Sequence, residues 1–208
     1  NYGLNTKLWA FDHNPAEAMS YAANILADSG AYAALDGTAV HDYSGEPSIL
    51  TTLHNAYPNK NIYFTERMVW GTSGADRIIQ FVRNWAKSYN AWVTMLDSNI
   101  APEQWSGVPG PTIMIQDAYN PDNYWDTAEV YIMGQFSKFV KPGAKRIYSD
   151  YGSASTVTNV AFLNPDDTIV SVVVNQTSSS KQFKMLLPNS EQIVATVPAK
   201  AVATYKWQ

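Results

Sequence analysis

The sequence predicts an α/β half followed by an all-β half, and three observations predict it. Apolar strand-like runs alternate with helix-like runs through the first part of the chain. Polar clusters stand just past the strand-like runs: Asp12-His13-Asn14, His41-Asp42-Tyr43 and Glu66. From Lys145 onward the texture changes to short apolar runs separated by turn signals.

Thr6 to Phe11 is a short apolar strand. Pro15 then opens a helix that Ala16 to Leu26 continue, with Gly30 just beyond its end. Leu35 to Val40 is again strand-like. A helix over 48–56 follows, with Ser48 as the expected N-cap. Asn61 to Thr65 forms a third strand that ends at Glu66. Ile78, Ile79, Phe81, Val82 and Trp85 have helical spacing within 75–88, and Ala91 to Leu96 reads as a fourth strand. Pro47 and Pro58 fall between elements, where their missing N–H costs nothing.

Strands that alternate with helices form a parallel sheet. Polar groups gathered past the strands' carboxyl ends match the place where (β/α)₈ barrels (TIM barrels) keep their chemistry. Four such units are half a barrel, which leaves two open edges to cover. The expected division is therefore a second half of a barrel over 1–105, then a linker helix and a β-sandwich over 106–208. In the later part, Pro102, Gly107, Pro109, Gly110 and Pro111 mark a loop-rich passage, and Asp126 to Phe139 a helix. Strands are expected over 157–163, 169–174, 183–187, 193–197 and 202–207.

Composition excludes several classes of function. The net charge of −4, with no basic run, argues against a nucleic-acid partner. The absence of Cys removes disulfides, thiolate metal sites and Cys nucleophiles. No apolar run reaches the length of a membrane span. With 3 His and no HExxH-type spacing, no catalytic metal is expected, and no dinucleotide or Walker fingerprint points to a cofactor. Ser44-Gly45 and Ser73-Gly74 lack the GxSxG elbow of a serine hydrolase. The 7 Trp and 13 Tyr suit sugar faces, though they suit cores equally. Asn1-Tyr2-Gly3 has no initiator Met, so the chain is expected to be processed or to be part of a longer one.

Glu66 is the sharpest candidate for chemistry. A carboxylate at a strand end, beside Arg67 and close in sequence to Trp70, suits the nucleophile of a retaining glycosidase. Local sequence also allows a plain surface pair with Arg67. His41, Asp42 and Tyr43 read as a sugar-binding wall or as loop residues satisfied by backbone. Asp12 and Asn14 carry the same positional signal, with helix capping before Pro15 as the alternative. Trp70, Trp92 and Trp105 are candidate sugar platforms, and Asp97 either faces the site or starts a loop. Asn175-Gln176-Thr177 fits an N-glycosylation sequon.

Three segments together resemble glycoside hydrolase family 30, which includes glucosylceramidases and endo-β-1,6-glucanases. They are Gly37-Thr38-Ala39-Val40-His41-Asp42-Tyr43, Asn61-Ile62-Tyr63-Phe64-Thr65-Glu66, and the stretch from Gly134 to Ile147. The resemblance runs over nearly the whole chain. It implies Glu66 as nucleophile, Tyr43 as its hydrogen-bonding neighbour, and His41 and Asp12 near the sugar. It implies a retaining β-glycosidase, with endo-β-1,6-glucanase preferred to a glucosylceramidase-like β-glucosidase. A non-catalytic carbohydrate-binding fragment is the alternative from another class. The family's acid/base Glu follows an Asn, and no Asn-Glu pair occurs here. That residue is therefore expected from an N-terminal half-barrel outside this sequence. A β-glucan or β-glucoside is the expected partner, no cofactor is expected, and the resemblance favours a secreted or extracellular protein.

Overall fold

The computed structural model describes Gly3 and residues 5–99, 112–187 and 191–208. Trp105 and the Pro/Gly-rich passage around it lie outside the described residues. The chain divides into two compact units, one of Asn1–Met68 with Gln80–Trp92, the other of Val69–Ile79 with Val93–Gln208.

The first unit holds a four-stranded parallel sheet in the order β1-β2-β3-β4. Its strands are β1 (Trp9–His13), β2 (Gly37–His41), β3 (Asn61–Glu66) and β4 (Ala86–Tyr89). Between β1 and β2 stand a 3₁₀ turn (Pro15–Glu17), α1 (Ala22–Ala27) and α2 (Ser29–Ala34). α3 (Ser48–Ala56) joins β2 to β3, and α4 (Gly71–Arg83) joins β3 to β4.

Alternation along the strands explains which face is covered. Val40, Ile62 and Phe64 pack with Leu26 of α1, Leu50 and Leu53 of α3 and Phe81 of α4 in one apolar core. Phe64 touches Phe81 edge-on at 4.5 Å and lies parallel to Tyr89 at 4.1 Å. The other face bears polar and aromatic side chains. Trp9 stacks on Tyr63 at 4.2 Å. Tyr63 Oη donates to Asp36, which also accepts from Asn61 and pairs with Lys7. Those three donors hold the Asp36 carboxyl well below the usual carboxylate range. Gly37 has no room for a side chain beside β3, because a Cβ there would lie 2.1 Å from the Asn61 carbonyl oxygen.

Several local expectations are corrected. The helix expected over 15–26 is broken: a 3₁₀ turn covers Pro15–Glu17, α1 begins only at Ala22, and Asp28 then ends α1 and caps α2 by accepting from Ala31 N at 2.8 Å. Gly30 therefore lies inside α2 rather than beyond a helix end. Ser48 is the first residue of α3, and Pro47 holds the N-cap position without a side-chain bond. α4 stops at Arg83 because Trp85 takes a left-handed backbone, φ 78°, and stacks on His54 at 3.6 Å. The chain then pairs with β3 over Ala86–Tyr89, not over the 91–96 run that apolar content favoured.

In the second unit a small sheet joins β5 (Met95–Asp97), β6 (Met114–Gln116) and β7 (Tyr124–Asp126). α5 (Ala128–Ser137) follows, capped by Thr127, whose hydroxyl accepts from Glu129 N. The remaining strands are β8 (Lys145–Ile147), β9 (Thr158–Leu163), β10 (Ile169–Asn175), β11 (Lys181–Leu186), β12 (Gln192–Val197) and β13 (Ala201–Trp207). They form a four-stranded antiparallel sheet, β13-β10-β9-β8, and the pair β11-β12, the β-sandwich part of the chain. β10 is buried along nearly its whole length, as a central strand covered on both faces is. Phe183 meets Tyr205 edge-on at 5.5 Å between the two sheets, and Thr204 Oγ1 donates to Gln135 O at 2.7 Å.

The sequon at Asn175 is not a surface feature. Asn175 is fully buried, and its Nδ2 donates to the carbonyls of Ser179, Val197 and Pro198. A glycan on that nitrogen is incompatible with this fold. Asn164 is likewise buried and ties Phe139 O, Thr168 Oγ1 and Lys141 N together.

Candidate active site

A regular β3 would turn Glu66 toward the same face as Ile62 and Phe64, into the apolar core. The ladder prevents this. Val40 pairs with Phe64, but His41 pairs with Glu66, so the register slips by one residue at the end of the strands. The slip sets Glu66 beside His41 on the polar face. The two neighbouring ladders slip as well, between Phe11 and His13 and between Ile62 and Phe64.

Glu66 then meets two side chains from the β2 end. Tyr43 Oη donates to Glu66 Oε1 at 2.9 Å. His41 Nε2 lies 3.7 Å from Glu66 Oε2 and 3.1 Å from Asp12 Oδ1. Burial and the adjoining Glu66 carboxylate push the Tyr43 phenol up to about 12, so it stays a donor at any ordinary pH. The Arg67 guanidinium sits over the Tyr43 ring at 4.9 Å. Arg67 is therefore more than a surface counter-ion for Glu66.

Asp12 reaches this cluster from the neighbouring strand through unusual backbone. Phe11 and Asp12 have φ of 85° and 51° in succession, the left-handed region that side chains other than Gly seldom adopt. Such residues cost about 1–3 kcal/mol each and persist where the surroundings over-determine them. Here the carboxylate is held by Thr65, whose hydroxyl donates to Asp12 Oδ1 at 2.7 Å. Asn14 does not cap the helix that follows. Its Oδ1 accepts from Tyr43 N at 2.8 Å, bracing the loop that carries the phenol. Gly45 closes that loop at φ 86°, where a Cβ would collide with Ala16 N at 2.3 Å.

The structure thus brings together Asp12, His41, Tyr43 and Glu66. His13 stands nearby, its ring 6.4 Å from that of His41. Asp42 is buried. Trp92 is partly exposed, and its backbone N–H donates to Arg67 O at 2.9 Å, which ties that segment to the residue after Glu66. Trp70 and Asp97 belong to the second unit; Trp70 is partly exposed, and Asp97 Oδ1 accepts from Asn99 N in a local turn. Sequence reasoning missed Thr65 and the bracing role of Asn14. Alternation pointed to Thr65, which stands opposite in phase to buried Phe64 at a strand end. Among the described residues, no three His, Asp or Glu side chains are grouped to hold a metal ion.

Fold and site define the class: an α/β sheet with carboxylates gathered at its strands' carboxyl ends, followed by an antiparallel sandwich. More particularly, residues 143–205 match the glycosyl hydrolase family 30 beta sandwich domain. The chain is 29% identical over 219 residues to an endo-1,6-beta-D-glucanase of Trichoderma harzianum, covering 98% of this chain and 43% of that protein. It is 30% identical over 192 residues to a putative glucosylceramidase of Caenorhabditis elegans, covering 85% and 37%. Among solved structures, an endo-beta1,6-glucanase matches with a TM-score of 0.84 and 29% identity, covering 99% of this chain and 49% of that one. The resemblance to glycoside hydrolase family 30 is borne out, and these relatives are glycoside hydrolases. The chain spans less than half the length of each.

Proposed function

We propose that this chain supplies the nucleophile of a retaining β-glycosidase, with Glu66 as that nucleophile and β-1,6-glucan as substrate. The observation that carries the reading is Glu66 itself, turned out of the core by a register slip and held through Oε1 by a phenol that remains a donor. A carboxylate fixed through one oxygen presents the other to an anomeric carbon. His41, Tyr43, Asp12, Asp42 and Trp92 are assigned to the sugar wall, and no metal or cofactor enters the reaction. The similar endo-1,6-β-glucanases support the choice of substrate. Similarity to a putative glucosylceramidase supports a β-glucosidase of that kind as the second reading.

Retention needs a second carboxyl about 5–5.5 Å from the first, to protonate the leaving oxygen. Asp12 Oδ1 already accepts from Thr65 and His41, so it serves here as an acceptor. In this reading the acid/base Glu comes from an N-terminal half-barrel beyond these 208 residues. Residues 1–105 would be the second half of a (β/α)₈ barrel and 106–208 the linker helix and sandwich. The four parallel strands in sequential order support that division. Secretion, as the resemblance implies, belongs to the same reading. Among the described residues, no helix is long and apolar enough to cross a membrane.

An activated 2-fluoro aryl β-glucoside tests the nucleophile, because its leaving group departs without an acid. The expected result is one covalent sugar on the peptide containing Glu66, absent from Glu66→Gln. A label on any other residue sinks the assignment. Hydrolysis of β-glucan by the purified chain alone would overturn the need for a second half.

A further inference from the structure

We propose that Asp12 is a positioning residue for the nucleophile and acts through His41, holding the imidazole Nε2 proton off the Glu66 oxygen that attacks; this rests on the assignment of Glu66 as nucleophile. His41 Nε2 faces Asp12 Oδ1 at 3.1 Å and Glu66 Oε2 at 3.7 Å. Ionised carboxylates only accept hydrogen bonds, so the nitrogen between them carries the proton. It has one proton for two acceptors. Asp12 is within hydrogen-bond reach and Glu66 Oε2 is beyond it. Glu66 Oε1 is occupied by Tyr43.

The position of Asp12 is built for this contact. Two consecutive left-handed residues swing it across from β1, and Thr65 on β3 fixes the same oxygen that His41 meets. Tyr43 and His13 also stand beside His41, their rings 6.2 and 6.4 Å away. When Oε2 bonds to the anomeric carbon, the leaving oxygen takes its proton from the separate acid. The His41 proton stays on Asp12 throughout and is not transferred. Without the Asp12 charge, the same proton turns to Oε2 and ties up the attacking lone pair.

Nitrogen-15 NMR of the 208-residue chain tests this without any turnover. The neutral His41 ring is expected as the Nε2–H tautomer, with a slowly exchanging Nε2 proton that shifts in Asp12→Asn. Thr65→Val, which only loosens the carboxylate, should move the same signal less and guards against misfolding of the first variant. An Nδ1–H tautomer in the wild type, or a signal indifferent to both substitutions, overturns the proposal. Kinetics on an activated aryl β-glucoside, measured with the N-terminal half-barrel supplied as a second polypeptide, give the second readout. Asp12→Asn should lower kcat about ten- to hundredfold at nearly constant KM, the size of a charge-assisted hydrogen bond on the attacking oxygen. In a His41→Phe background the same substitution should cost nothing further. Additive losses, or a loss in KM alone, overturn the proposal. If the chain joined by that half takes no sugar, the glycosidase reading fails while the NMR result still decides the role of Asp12.

Discussion

The polar groups of the parallel sheet and those of the antiparallel sheet are satisfied in different ways. In the β-sandwich part, Asn175 and Asn164 are buried and bond mainly to backbone groups. Such contacts stitch strands and loops into one geometry and leave nothing to offer a ligand. At the carboxyl end of the parallel sheet, Asp12, His41, Tyr43, Thr65 and Glu66 bond side chain to side chain while keeping partial contact with solvent. Buried amides on carbonyls mark structure. Carboxylates that share a histidine and a phenol at a strand end keep side-chain groups open to solvent.

Substitutions can break or sharpen that contrast. The largest effect is expected from Glu66→Gln, which should remove more than about a thousandfold of turnover toward an activated glucoside. Its denaturant midpoint should stay near that of the wild type. A large stability loss would place Glu66 with the structural group instead. Phe64→Ala, two residues earlier, should do the reverse and cost about 3–5 kcal/mol in urea unfolding, because Phe64 is fully buried between Phe81 and Tyr89.

Asn175→Ala should cost about 1–3 kcal/mol, since the three carbonyls it serves lose a buried donor. It should leave activity per folded molecule unchanged. Folded protein secreted from a glycosylating host should carry no glycan at Asn175, as intact mass would show. A glycan found there would refute the burial of this side chain.

The smallest effects belong to Tyr43. Tyr43→Phe should lower kcat about tenfold, the worth of one hydrogen bond to a charged group. It should also remove from the alkaline ultraviolet titration a phenol that ionises near 12. The raised value means that this phenol's contribution to folding is complete below the unfolded value of about 10 and is lost as pH rises toward 12. A titration unchanged by Tyr43→Phe would show that the phenol is not held by Glu66.

Much of this arrangement was legible in residue order. Alternation of Ile62, Tyr63, Phe64 and Thr65 foretold β3 and its buried face, and a carboxylate ending an apolar strand marked Glu66. The later strands were found to within a few residues, because turn residues bound each one. What failed were places where a distant partner outweighs local preference. Trp85 has helical spacing but leaves the helix to stack on His54, and Ala86–Tyr89 pairs with β3 where composition favoured 91–96. Asn14 precedes Pro15 as a helix cap does, yet it bonds the Tyr43 backbone instead.

By itself, then, the sequence determined the order of elements, the apolar face of each strand and the residue types gathered at the strand ends. These follow from side-chain periodicity and turn chemistry, which act over a few residues. Only the tertiary structure decided that Glu66 faces His41 rather than the core, and that Asp12 rather than Glu66 lies closer to the imidazole. A register slip is set by pairing between strands that stand far apart in the chain, and no local pattern encodes it.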